Sequence, residues 1–168
     1  EAAVSTVKRY LPDPQENIRL FDLVHDEAER VHTRLGPEAF PLRTPPFTDE
    51  EFRRRSARYE AGTESLRAVL VTGGFWGDES NCSLWTQTIQ RIASQPVEDG
   101  LVVWSDLRLY PSLLLTYAAG LGALAAGKYE VFGAVVMEPT TQQSGRNEWL
   151  ARSFFSGNMG KPGHLAES

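Results

Sequence analysis

From Leu109 to Gly127 the chain reads LYPSLLLTYAAGLGALAAG, with no charged side chain, and no other stretch is as apolar. Leu114, Tyr117, Leu121 and Leu124 recur at helical spacing as a row of large residues. Ala118, Gly122 and Ala126, and beside them Ala119, Ala123 and Gly127, form rows of small residues four apart. Small rows let neighbouring backbones approach, and large ones fill the gaps between helices. A helix that is apolar all round belongs in the centre of a globular core. The pattern therefore predicts a central helix over about 111–126, with Pro111 in its first turn. Truncating Leu114 or Leu121 to alanine would then open a core cavity.

The remaining periodicity places other helices around it. Ala2–Tyr10 is weakly helical, and Asp13-Pro14-Gln15-Glu16 has the spacing of a capping box with proline at the first helical position. That start launches a helix to about Leu35, with Ile18, Phe21, Val24 or His25, Ala28, Val31 and Leu35 as its apolar stripe. Pro37 to Phe47 carries four prolines and reads as a connection. A second capping box, Thr48-Asp49-Glu50-Glu51, opens a long helix toward Thr72, with Phe52, Tyr59, Leu66, Val69 and Leu70 on its buried side and Gly73-Gly74 as its stop. A third helix carries Leu84, Trp85, Ile89 and Ile92 and ends near Pro96. Leu101 to Tyr110 is ambiguous between strand and helix, and Tyr129 to Met137 reads as one more short helix. Fold class is thus all-α, a bundle of about five or six helices. One helical domain spans 1–137, and 138–168 is a polar segment with at most one short helix.

Composition narrows the class of function. The chain has 168 residues, 41% of them hydrophobic and 23% charged, as an ordinary globular domain does. A net charge of −5 argues against a broad nucleic-acid footprint. Arg53, Arg54, Arg55 and Arg58 follow Asp49, Glu50 and Glu51, a pattern of local pairing on a solvated helix face. One cysteine, Cys82, excludes an intrachain disulfide and suits a reducing compartment such as the cytoplasm. The chain opens on Glu1 instead of Met, which leads us to expect a segment of a longer protein. The apolar stretch also invites a single-span membrane reading. Once Pro111 has shortened it, the usable helix falls at the low end of the roughly 17–25 residues a span needs.

Candidate chemistry is sparse. Val69 to Gly77 (VLVTGGFWG) resembles the strand-then-glycine opening of a dinucleotide-binding fold, with Asp106 as a ribose-binding acid. Its glycines follow GGxxG order, and Asp106 lies more than thirty residues on, where about twenty is expected. His25, Glu29 and His32 share one helix face, but no second Glu-x-x-His completes a di-metal bundle site. Cys82 sits at a helix start, a position that can lower a thiol pKa, without an arguable histidine partner. No cofactor, metal or catalytic residue is assigned. The residues best suited to a partner contact are Phe75, Trp76, Trp104 and Arg108, because tryptophan and arginine are enriched at binding hot spots.

Four groups of residues carry a resemblance. These are Tyr59-Glu60-Ala61-x-Thr63-Glu64, Thr72-Gly73-x-x-Trp76-Gly77, Leu84-Trp85, and the run from Val103-Trp104 through Leu107-Arg108, Tyr110-Pro111 and Leu113-Leu114-Leu115 to Tyr117-Ala118. Over most of Asp13 to Met137 they resemble a helical region of large, uncharacterised multi-domain bacterial proteins. Those proteins carry an effector domain elsewhere and are of the kind seen in anti-phage systems. The resemblance implies an accessory or sensing module and transfers no functional residue. We therefore expect a non-catalytic interaction, scaffold or regulatory module of a larger intracellular bacterial protein. Its partners would be other proteins or other domains of the same polypeptide, with no nucleic acid, and an oligomer is possible. The alternatives are an NAD(P)-binding oxidoreductase-like domain using Gly73-Gly74, and a single-span membrane protein.

Overall fold

The computed structural model describes residues 2–94, 100–143 and 146–155, and their architecture is all-α with one small hairpin. Helices α1 (Ala2–Tyr10) and α2 (Asn17–Leu35) are joined by a single 3-10 turn, Pro14–Glu16. The Asp13 side chain accepts from the Gln15 amide at the start of that turn. Helix α3 (Asp49–Trp76) is the longest, at 28 residues or about 42 Å. Thr48 caps it by accepting from the Glu51 amide, as its capping-box sequence requires. Then come α4 (Cys82–Ala93), α5 (Val102–Leu107), α6 (Tyr110–Ala125) and α7 (Tyr129–Met137). A two-stranded antiparallel hairpin, β1 (Thr140–Gln143) and β2 (Arg146–Trp149), leads into α8 (Leu150–Phe155). The ambiguous segment before α6 is thus helical, whereas the hairpin was not expected.

The helix wrapped by its neighbours is α3. Helices α1, α2 and α6 all pack on it, and α4 closes the other side of α6 together with α7. Tyr59, Leu66, Val69 and Leu70 of α3 are buried, as the sequence suggests, together with Trp85 and Ile89 of α4. On α2 the buried row is Leu20, Val24, Ala28, Val31 and Leu35. Ile18 and Phe21, expected inside, face solvent because the buried stripe of α2 starts one position off theirs, and Phe52 of α3, also expected inside, is partly exposed.

Two expectations need correction. The apolar segment is helical over Tyr110–Ala125, but it is not central and it is turned the other way round. Ser112, Leu115, Ala119, Gly122 and Ala123 are buried against the bundle, while Leu121 is 61% exposed and Tyr117 57%. Removing Leu121 therefore opens no cavity. Gly73-Gly74 is not a helix stop, since α3 continues to Trp76 and ends at Gly77. Both glycines are packing sites: a β-carbon on Gly73 would lie 2.6 Å from the Trp85 ring, and one on Gly74 would lie 2.2 Å from the Ala119 carbonyl oxygen. Beyond Met137 the polar segment holds one short helix, α8, as expected, and also packs on the bundle. Thr141 is buried and its hydroxyl donates to the Ala93 carbonyl, and Leu150 is buried. Pro96 and the tail beyond Phe155, with His164, lie outside the described residues.

Candidate functional site

Helices α3 and α6 run side by side in the same direction. Near the start of α6 the Tyr110 hydroxyl donates to Glu60 Oε1 at 2.7 Å. Farther along, Gly74 meets the Ala119 and Ala123 backbone, and Gly122 meets the Val71 carbonyl and the Phe75 amide. Glycine against small residues brings the two backbones into direct contact. That contact decides where the large side chains go. With Ala119, Gly122 and Ala123 turned inward, Leu114, Tyr117, Leu121 and Leu124 fall on the outer side of α6.

The result is an uncharged, exposed apolar face. On α6 it comprises Tyr117, Leu121 and Leu124, flanked by half-buried Leu114. On α3 Val71 (39% exposed), Phe75 (38%) and Trp76 (60%) are exposed as well, and the Val71 and Phe75 backbones lie against Gly122. The Phe75 and Trp76 rings meet edge to face at 5.1 Å. Of the four expected contact residues, then, Phe75 and Trp76 are exposed.

Trp104 is not, and this is a correction. It is buried, its indole N–H donates to the Pro45 carbonyl at 2.9 Å, and Arg55 stacks on its ring at 4.2 Å. Its neighbour Arg108 is half-buried and lies close enough to Tyr59 for its charge to oppose the phenol's rise in pKa. Arg55 likewise departs from the solvated arginine face expected for its cluster. It is buried, pairs with Glu51 Oε1 at 2.9 Å, and donates to the carbonyls of Pro41 and Thr44. Arg55 ties the proline-rich connection to α3, and Trp104 ties it to α5.

At the C-terminal ends of α3 and α6 an open pocket of about 320 Å³ is lined by Asp78, Glu79, Gly127, Lys128, Tyr129, Glu130 and Val131. Lys128 Nζ donates to the Gly77 carbonyl, which locks the junction. A hydrogen bond and repulsion from Glu130 push the Glu79 carboxyl up, and hydrogen bonding by Ser80 pulls Asp78 down. The Cys82 thiol is pushed up, first by burial and then by Glu138, Glu79, Asp78 and Glu130, opposite to what its helix-start position suggests. A protonated thiol without a neighbouring base is a poor nucleophile.

The other candidate groups have structural partners. Arg91 of α4 pairs with both His25 and Glu29 of α2, so two of the three residues on that face bridge helices. Among the described residues no group of three His, Cys, Asp or Glu is placed to hold a metal ion. The strand that a dinucleotide site needs before Gly73 is absent there, because Val69–Gly74 is helical. No described helix is long and apolar enough to cross a membrane.

Sequence reasoning missed Val71, Tyr117, Leu121 and Leu124 as surface residues. A signal was available: Gly73-Gly74 on one helix and small rows on another are complementary surfaces. Comparison with protein-family profiles, curated sequences and solved structures gives no match.

Proposed function

We propose that this chain is a non-catalytic interaction module, a scaffold or regulatory and sensing element of a larger intracellular bacterial protein. It works in the reducing environment of the cytoplasm and docks another protein or domain through the α3–α6 face. The observation that carries this reading is the row of Tyr117, Leu121 and Leu124 exposed on one side of α6, with Val71, Phe75 and Trp76 also exposed on the neighbouring α3, and no charge between Leu109 and Gly127. Scattered exposed apolar residues are ordinary on a soluble domain, whereas a contiguous patch marks an interaction site. Aromatic residues beside aliphatic ones on a rigid two-helix platform match the composition of interface centres.

A photo-crosslinking amino acid at Leu121, at Trp76, or at exposed Arg53 on the first turns of α3 tests the reading in bacterial cells. Adducts are expected from positions 121 and 76 and not from 53. They should disappear when Tyr117 is also changed to Glu. Equal labelling from all three positions would contradict a specific docking face.

A further inference from the structure

We propose that the junction between α6 and α7 is a pH-responsive clasp. One proton shared by Glu79 and Glu130 joins the first turn of α7 to the turn that follows α3, and loss of that proton at higher pH loosens the joint. The clasp stands whether or not the α3–α6 face docks a partner.

One half of the clasp is rigid. Glu79 opens the 3-10 turn Glu79–Asn81, which a capping box fastens. The Asp78 carboxylate accepts from the Ser80 amide at 2.9 Å, and Asn81 Oδ1 accepts from the Asp78 amide at 3.2 Å. Just before it, the Gly77 amide closes the end of α3 by donating to the Gly73 carbonyl at 2.7 Å.

The other half hangs on a hinge. Gly127 has a φ of 70°, and nothing lies within 4 Å of where its β-carbon would be. This left-handed residue follows α6 with no packing against that side, so the chain can pivot there. Farther on, Val131 and Val135 are buried, which keeps the body of α7 on the bundle. What is left to move is Lys128, Tyr129 and Glu130. These three line the open pocket of about 320 Å³ together with Asp78 and Glu79.

Charge in the pocket is unbalanced. Asp78 and Glu79 come from the turn, Glu130 and Glu138 from α7 and its end, and all four bear on the Cys82 thiol of α4. Lys128 is the only cation among the lining residues, and its ammonium donates to the Gly77 carbonyl with Asp78 nearby. Tyr129 is exposed and uncharged at neutral pH. Glu79 and Glu130 are therefore left to each other. With one proton between them, Glu79 donates to a Glu130 oxygen and bridges turn to helix. With none, two carboxylates repel across the same gap.

That hydrogen bond first, and the repulsion second, raise the Glu79 carboxyl above its ordinary 4.5. For an acid whose folded value is raised, the contact is complete below the unfolded value and is lost as pH rises through the folded one. The clasp is thus closed in mild acid and loosened toward neutral pH. Both carboxyls are exposed, which confines the effect to the junction.

Amide hydrogen exchange followed by NMR on the purified chain tests the clasp, with EDTA present so that no metal ion replaces the proton. The reporters are the amides of Lys128 and Phe132, which donate to Ala123 and Lys128, and the reference is the Glu138 amide, which donates to Ala134. After correction for intrinsic exchange, protection of the reporters relative to the reference should be about two- to fivefold higher at about pH 4.5 than at about pH 7.5, the scale of one exposed charged contact. Glu79→Gln, whose amide can donate to Glu130 at either pH, should hold the acid-side protection throughout. Glu79→Ala, which can donate at neither, should show no pH step while keeping the helical circular dichroism of wild type. Glu138→Gln leaves the pair intact and should keep the step. Wild-type protection that is unchanged between the two pH values, or that grows with pH, overturns the clasp. So does a Glu79→Gln chain that responds to pH as wild type does.

Discussion

Gly74 of α3 lies so close to Ala119 of α6 that a β-carbon added to it would sit 2.2 Å from the Ala119 carbonyl oxygen. An alanine in mid-helix ordinarily gains about 0.5–1 kcal/mol over glycine, because the unfolded chain loses less entropy. Here the added methyl must push apart two backbones that have no flexible side chain between them. Gly74→Ala is therefore expected to lower stability by about 1–3 kcal/mol, the usual cost of overpacking. Gly133 of α7 is the control, with nothing within 4 Å of its β-carbon position, and Gly133→Ala should be stabilising by about 0.5–1 kcal/mol. Urea denaturation of both variants measures the contrast.

Arg55 joins Glu51, the Pro41 and Thr44 carbonyls and the Trp104 ring in one buried cluster. Removing the guanidinium would leave Glu51 with Arg54 as its remaining partner and take the donors from two carbonyls. Arg55→Ala should cost about 2–4 kcal/mol by thermal or urea unfolding. Arg55→Lys should recover only part of that, because an ammonium cannot reproduce the planar fork.

Two tyrosines should titrate late. Burial pushes the Tyr59 phenol up to about 12, against the opposing charges of Arg55, Arg108 and Arg58. Tyr110 is raised to about 12 by burial and by its hydrogen bond to Glu60. For both, the folded pKa lies above the unfolded value of 10.0, so folding favours the neutral phenol. The associated stability is complete below pH 10 and is lost as pH rises through about 12. For Tyr59 that loss is on the order of 2–3 kcal/mol. Tyrosinate absorbance and denaturation midpoints followed over this window should move together, and Tyr59→Phe should flatten the alkaline slope.

Cys82 should be a slow thiol. Burial and the carboxylates of Glu138, Glu79 and Asp78 hold its pKa above the ordinary value, so little thiolate is present at neutral pH. Its alkylation by iodoacetamide is expected to lag behind that of a free cysteine, and Glu138→Gln should speed it. Alkylation faster than the free amino acid would contradict this environment.

The elements were legible where local chemistry decides them. Thr48 and Asp13 announce their helices through side chains that cap amides two or three residues on, and the periodic Tyr59, Leu66 and Leu70 mark the inner side of α3. What local pattern could not supply was the pairing of surfaces. A helix with one large row and one small row is apolar on both, so hydrophobicity cannot choose which turns inward. The choice comes from α3, where Gly73 admits Trp85 and Gly74 admits α6. Read as a stop signal, the same two glycines hide that complementarity. Trp104 and Arg55 were misplaced for a related reason. An aromatic and a cation that look like surface residues singly become interior ones once each satisfies the other and the carbonyls of the proline-rich connection. Of the candidate face, Phe75 and Trp76 could be named from sequence, whereas the α6 half could not.

The inverted seating of α6 is tested most directly by comparing two leucines on that helix. Leu115 is fully buried and Leu121 is 61% exposed, although they lie less than two turns apart. Urea denaturation of Leu115→Ala and Leu121→Ala, at concentrations where the chain is monomeric, should show a loss of about 2–5 kcal/mol for the first. The second should stay within about 0.5–1 kcal/mol of wild type. A large loss at Leu121 with little change at Leu115 would mean that the large-residue row faces the core, and the exposed α3–α6 face would not exist.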